Sequence, residues 1–178
     1  MRNVLIFVTG IGLGDAVREY AIINELKKIE DVRVRIAAYG MSKKFFENKF
    51  KTIEIRGFNA VSERFNLEFN QFVRSNATLP LTWKSQIKKL QVENAGFKPD
   101  LVVTDFEPLG VLFSRSTGAK FIGVFGVEPK SFEEFFSQRK GTVLFHRMQA
   151  NYLRNMYKAG SVYGEGVIVP SITKAKSS

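Results

Sequence analysis

Gly10, Gly12 and Gly14 alternate behind the apolar run Val4 to Val8, and Asp15 and Arg18 follow where an amphipathic segment begins. That order predicts a strand, a glycine-rich turn and the start of a helix. In an open α/β sheet such a turn lies at the carboxyl end of a central strand, where ligands bind and a helix N-terminus favours an anion. Three further acids stand at the ends of apolar runs: Asp105 and Glu107 after Leu101 to Val103, and Glu128 after Phe121 to Val127. A carboxylate there can bind a hydroxyl or take its proton as a general base, and two neighbouring carboxylates raise one pKa toward neutrality. The candidate catalytic residues are therefore Asp15, Asp105 and Glu107. The candidate binding residues are Gly10, Gly12, Gly14, Arg18 and Glu128.

The spacing excludes two common phosphate sites. A dinucleotide fingerprint needs its third glycine one place later, where Asp15 stands, and the second apolar run ends in Tyr39-Gly40 without an acid for a ribose hydroxyl. A P-loop needs a lysine and a serine or threonine after the last glycine, and neither follows Gly14. What remains is a backbone cradle in which glycines let N–H groups approach an oxyanion and the helix dipole adds roughly 0.3 to 1 kcal/mol. Asp15 at its mouth repels phosphate yet suits a hydroxyl; its plainer role is a helix N-cap. The chain has no cysteine and a single histidine, His146, so disulfides, thiolate sites and histidine-rich metal sites are not expected, nor is a cofactor.

The elements that must position these residues alternate in period. Val4 to Val8 predicts a strand buried on both faces, and Ala16, Tyr20 and Ile23, with Ile22, Leu26 and Ile29, predict a helix after it. Val32 to Tyr39 reads as a less buried strand because Arg33 and Arg35 interrupt it, followed by a short helix over Ser42 to Lys49 and a strand over Thr52 to Ile55. Between Gly57 and Lys98 one or two helices break near Asn76 to Pro80; Phe65, Phe69 and Phe72 fall at core spacing, and Asn76 to Trp83 reads as an apolar lip. Strands over Leu101 to Val103, Phe121 to Val127 and Val167 to Val169 complete the set, and a helical stripe through Phe145, Met148, Tyr152 and Met156 precedes the last, with His146 beside it on the surface. This is an α/β chain with one doubly wound, mostly parallel sheet. In the order 3-2-1-4-5, Asp105 and Glu107 face the glycine turn across the switch-point crevice.

At 178 residues and 20.2 kDa, with 44% hydrophobic and 25% charged residues, one soluble domain is expected over 1–170, with 171–178 as a flexible tail or the start of a linker. No leader-like or membrane-spanning run is evident, which predicts a cytoplasmic protein. The net charge of +10 predicts an anionic partner, and residues from Arg139 onward carry seven bases against one acid. That basic end is suited to an anionic membrane surface at the inner face. Nucleic acid is not expected, for want of a recognised motif.

These residues also carry a family likeness. Val4 to Val8, the Gly10-Ile11-Gly12-Leu13-Gly14 turn, Arg18 and Ala21 to Leu26 resemble the N-terminus of GT-B glycosyltransferases, most of all the family-28-like branch with the lipid II-forming enzyme and its archaeal relatives. Lys98 to Gly110, with Pro99-Asp100-Leu101-Val102-Val103-Thr104-Asp105-Phe106-Glu107-Pro108, is similar to a stretch of those relatives, as is Val167 to Ser171 to the close of their first domain. The resemblance implies a Rossmann-like GT-B N-terminal domain that binds a sugar acceptor, sometimes a lipid-linked phosphate. It also implies inverting transfer from a nucleotide sugar held by a second, donor-binding domain. Relatives commonly have histidine where Asp15 stands. The donor-binding domain lies outside these 178 residues, so the expectation is an acceptor half that needs a separate or missing donor-domain polypeptide and is inactive alone. The rival is a non-catalytic, flavodoxin-like module that binds a small anion, a phosphosugar or nucleic acid.

Overall fold

The computed structural model describes residues 1–29, 31–59, 69–126, 131, 134 and 143–169. Six strands form one parallel sheet in the order β3-β2-β1-β4-β5-β6. They are β1 (Arg2–Val8), β2 (Val32–Ala38), β3 (Thr52–Glu54), β4 (Leu101–Asp105), β5 (Lys120–Val124) and β6 (Gly166–Ile168). The helices are α1 (Leu13–Leu26), α2 (Gly40–Phe46), α3 (Phe69–Asn76), α4 (Leu79–Glu93), α5 (Pro108–Thr117) and α6 (Val143–Lys158), the last running into a π-helical turn over Ala159–Tyr163.

β1 is central because its apolar run can be covered on both faces. Leu5 and Phe7 enter one core with Val102, Leu109 and Phe113, whereas Val4, Ile6 and Val8 enter the other with Ala16, Ile23 and Phe46. Each such side chain, taken fully out of water, contributes about 1.5 to 3 kcal/mol. The register pairs Val8 with Ala38 on one side and with Asp105 on the other, so the ends of β1, β2 and β4 lie level. Between β1 and β4 the chain order reverses, and the crevice of a doubly wound sheet opens there.

Several local expectations shift. Helix α1 begins at Leu13, two residues before Asp15: Gly12, in extended backbone, occupies the N-cap without a side-chain bond, which places Asp15 inside the first turn. The predicted break falls at Ala77–Thr78, but Asn76 to Trp83 is not a lip. Leu79 is buried, Trp83 packs on the core, and only Leu81 stands out, 81% exposed. Of the three phenylalanines at core spacing, Phe72 is half-buried and stacks on Phe58 at 5.9 Å, while Phe65 and the side chain of Phe69 lie outside the described residues. So do the side chain of His146, Glu128 and residues 170–178. Among the described residues no helix is long and apolar enough to cross a membrane.

Candidate functional site

The glycine turn divides into two jobs. A Cβ on Gly10 would lie 2.1 Å from the Tyr39 carbonyl oxygen, so this position is glycine because the turns after β1 and β2 touch. The contact is stitched by Met41 N–H donating to Gly10 O at 3.2 Å and by Ser42 Oγ donating to Thr9 O at 2.5 Å. Gly40, at φ +54°, completes it with a conformation glycine tolerates. Gly12 and Gly14 meet nothing within 4 Å of a built Cβ and leave open space at the mouth of α1.

Arg18, one turn into α1, crosses the crevice to the end of β4. Its Nε donates to Asp105 Oδ2 at 3.2 Å and its Nη2 to the two Asp105 oxygens at 2.7 and 2.8 Å, while Nη2 also reaches Asp15 Oδ1 at 2.6 Å. The Asp105 side chain is fully buried, Asp15 one quarter exposed. Burial pushes the Asp105 carboxyl up to about 7 against the pull of the guanidinium. Gly126, just past β5, makes room: a Cβ there would sit 2.7 Å from Arg18 Nη1. Behind this network Glu19 is fully buried with no partner for either carboxyl oxygen among the described residues; burial, and then Asp105, hold its proton on. Glu19 shares the Ala16 and Ile23 face of α1, and that spacing was the signal that it points inward.

Glu107 is sealed in a different way. It is the N-cap of α5, its Oε1 accepting from Leu109 N–H at 3.2 Å ahead of Pro108 in the first turn. Its carbonyl accepts from Thr104 Oγ1 at 2.5 Å, and the preceding Phe106 takes φ +53°, a strained value for a bulky residue. Tyr152 of α6 holds that bend by donating to Phe106 O at 2.7 Å. Burial pushes the Glu107 carboxyl up to about 8. Burial and then Glu107 raise both Tyr39 and Tyr152, and Glu107 Oε2 has no partner among the described residues.

These groups border a crevice of about 440 Å³ lined by Thr9, Ile11, Gly12, Asp15, Phe58 and Tyr152, among others. The geometry separates the three candidate acids. Asp15 lines the crevice; Asp105 is enclosed by Arg18 and Glu107 is used as a cap, and neither lines it. Arg18 joins Asp15 and Asp105 but spends its charge on them, and Gly10 is structural. Sequence reasoning did not single out Thr9, Tyr39, Glu19, Gly126 or a polar role for Tyr152. Among the described residues no cluster of three or more acids or histidines is arranged to hold a metal ion. Most of the lining is apolar side chain or glycine, so what the crevice can do is hold a molecule with an apolar face and one hydroxyl against the Asp15 carboxylate.

Comparison with known proteins bears on the class of molecule. Residues 2–127 match the sequence profile of glycosyl transferase family 1. No curated protein sequence matches significantly. Among solved structures, UGT89C1 of Arabidopsis thaliana complexed with UDP superposes with a TM-score of 0.62 at 12% identity, over 94% of this chain and 44% of that one. MurG of Acinetobacter baumannii gives 0.54 at 14%, over 94% and 41%. The chain spans under half the length of these structures, and at such identities the likeness is one of fold. Sheet order, crevice and profile agree: the chain belongs to glycosyl transferase family 1 and has the doubly wound fold of a GT-B N-terminal domain.

Proposed function

We propose that this chain is the acceptor-binding half of a nucleotide-sugar-dependent glycosyltransferase, with Asp15 as the base. The observation that carries the reading is the sorting of the acids: Asp15 alone of the three candidates opens on the crevice, and Arg18, anchored on buried Asp105, fixes its orientation. The acceptor hydroxyl lies against the Asp15 carboxylate, which takes its proton. The hydroxyl oxygen bonds to the anomeric carbon of the donor sugar from the face opposite the leaving group. The bond from that carbon to the nucleoside diphosphate breaks, and the diphosphate leaves on the donor-binding half, supplied by a second polypeptide or a further segment of the same one. Support for a nucleotide donor comes from the UDP bound in the UGT89C1 structure. Arg18, Asp105, Glu107 and Tyr152 are positioning residues, Glu107 and Tyr152 through the Phe106 bend. A lipid-linked acceptor presented at an anionic membrane is the form this reading favours, given the +10 charge.

Saturation-transfer NMR on the purified chain, with a panel of glycosides and with UDP, tests the assignment. Glycosides bind and Gly12→Val, which fills the crevice mouth, abolishes the signal; UDP does not bind. When the donor half is supplied, Asp15→Asn lowers kcat about 10²- to 10⁴-fold. Tight UDP binding without glycoside binding, or full activity of Asp15→Asn, defeats the reading.

A further inference from the structure

A second and larger cavity, about 690 Å³, lies on the β3 side of the glycine turn, between the exit of β3 and helices α3 and α4. It shares Ile11 and Phe58 with the crevice, so the two are compartments of one groove separated by that pair. Its size is that of a pocket for a small molecule.

Its walls are fixed by side chains fully used in doing so. Gln86 of α4 clamps the backbone of Arg56, accepting from Arg56 N–H at 2.6 Å and donating to Arg56 O at 3.1 Å. Asn76 accepts from Asn59 N–H at 2.7 Å and donates to the carbonyls of Asn59 and Phe72 at 2.9 and 2.8 Å. The charges are left unevenly matched. Glu54 is paired with Lys43 at 2.8 Å, and Lys89 donates to Glu54 O at 3.0 Å with Glu93 3.7 Å away. Arg56 is oriented by donating to Thr78 Oγ1 at 3.0 Å, and among the described residues it has no ion-pair partner. The cavity thus carries one guanidinium without an ion-pair partner among the described residues, together with the Lys89 ammonium, which is shared between the Glu54 carbonyl and Glu93.

The mouth of α1 has the opposite balance. Asp15 and Asp105 share the single Arg18, so an added anion at the glycine turn meets carboxylates whose cation is already committed. An acceptor with a phosphate therefore places it on the β3 side and its free hydroxyl on the Asp15 side.

We propose that this cavity is an anion subsite for a phosphorylated sugar acceptor, with Arg56 as its principal ligand and Lys89 as the second. The sugar extends past Ile11 and Phe58 into the crevice, resting on the reading of that crevice as the acceptor site. A guanidinium fork suits phosphate oxygens, and such charge-assisted bonds are the strong ones.

Titration calorimetry of the full chain with inorganic phosphate and with glucose 1-phosphate tests the subsite without any transfer assay. Arg56→Gln weakens both at least about tenfold. Lys88→Gln, on α4 but outside the cavity, weakens neither, and Asp15→Asn leaves the affinity for inorganic phosphate intact. The proposal falls if phosphate does not bind the unaltered chain, if Arg56→Gln leaves its affinity unchanged, or if Gly12→Val rather than Arg56→Gln removes it. Thermal melting of each variant identifies any that fail to fold; Arg56→Lys, which keeps the charge, then gives the partial loss expected of a fork replaced by a point charge. Co-sedimentation with phosphatidylcholine vesicles, with and without undecaprenyl phosphate, separates the sources. Arg56-dependent capture by the second set assigns a lipid-linked phosphate, and its failure beside intact glucose 1-phosphate binding assigns a soluble one. Loss of transfer in Asp15→Asn with phosphate binding intact supports both readings, whereas full transfer in that variant removes the base assignment and leaves the subsite standing.

Discussion

Arg18 and Asp105 meet across the switch point of the sheet, the guanidinium touching both oxygens of a fully buried carboxylate at 2.7 and 2.8 Å. Removing one partner of such a pair costs more than the pair contributes, because it strands the other charge. Asp105→Asn is expected to destabilise the protein by about 3 kcal/mol. Arg18→Met strands Asp105 beside Glu19 and costs a similar amount, and the double variant Arg18→Met/Asp105→Asn costs clearly less than the two added together. Urea unfolding of the four proteins measures this coupling; strictly additive losses contradict it.

Much of this arrangement was legible in the sequence. The runs of β1, β4 and β5 are apolar because both faces are covered, and such runs have few other readings; Asp105 was singled out as a candidate because it ends one of them. Asp15 as an N-cap was misjudged because the extended backbone of Gly12 starts the helix earlier without any side-chain signal. Tyr39 and Tyr152 were hidden because their rings fit a core pattern and only tertiary contact shows where the hydroxyls fall. Arg56 carries no local signal, since its aim depends on Gln86 and Thr78, 30 and 22 residues away.

Gly126 is a quieter part of the Arg18 network. A methyl group there would sit 2.7 Å from Arg18 Nη1, which makes no bond to Asp105, so Gly126→Ala crowds and tilts the guanidinium without taking Nε and Nη2 off the buried carboxylate, at little cost in stability. The expected result is a change in Tm within about 2 °C and a fall in kcat about tenfold as the Nη2 bond to Asp15 is realigned, with the acceptor KM unchanged. Equal losses in stability and activity indicate a packing role alone.

Glu107 predicts how stability depends on pH. Its carboxyl rises from an ordinary 4.5 to about 8 on folding because burial disfavours the charge, so the native state keeps a proton the unfolded chain gives up. That stabilisation is complete below about pH 4.5 and is lost as pH rises through 8. Stability therefore falls between pH 5 and 8 and levels off above, and Glu107→Gln, a permanently neutral cap, removes on the order of a few kcal/mol of that fall. Asp105 and Glu19, raised in the same direction, leave the variant a residual slope. Chemical denaturation at pH 5, 6.5 and 8 tests this, and identical slopes in the two proteins rule it out.

The three glycines of the turn give the sharpest contrast between folding and function. Gly10→Ala drives a methyl into the Tyr39 carbonyl, which belongs to backbone and cannot swing aside, so a loss of about 1 to 3 kcal/mol is expected. Gly14 lies inside α1 with open space around it, and Gly14→Ala stabilises by about 0.5 to 1 kcal/mol through the lower entropy of its unfolded state. Gly12 is also open, at φ −146° and ψ 173°, values any residue adopts, so Gly12→Ala leaves stability within about 0.5 kcal/mol. Yet Gly12 borders the crevice beside Asp15, and the same methyl intrudes where the acceptor hydroxyl must lie. Thermal melts paired with glycoside titrations should rank stability as Gly14→Ala, then Gly12→Ala, then Gly10→Ala, with acceptor affinity lost at Gly12 before it is lost at Gly14. A Gly12→Ala protein that binds acceptor normally would place the reacting hydroxyl elsewhere in the groove.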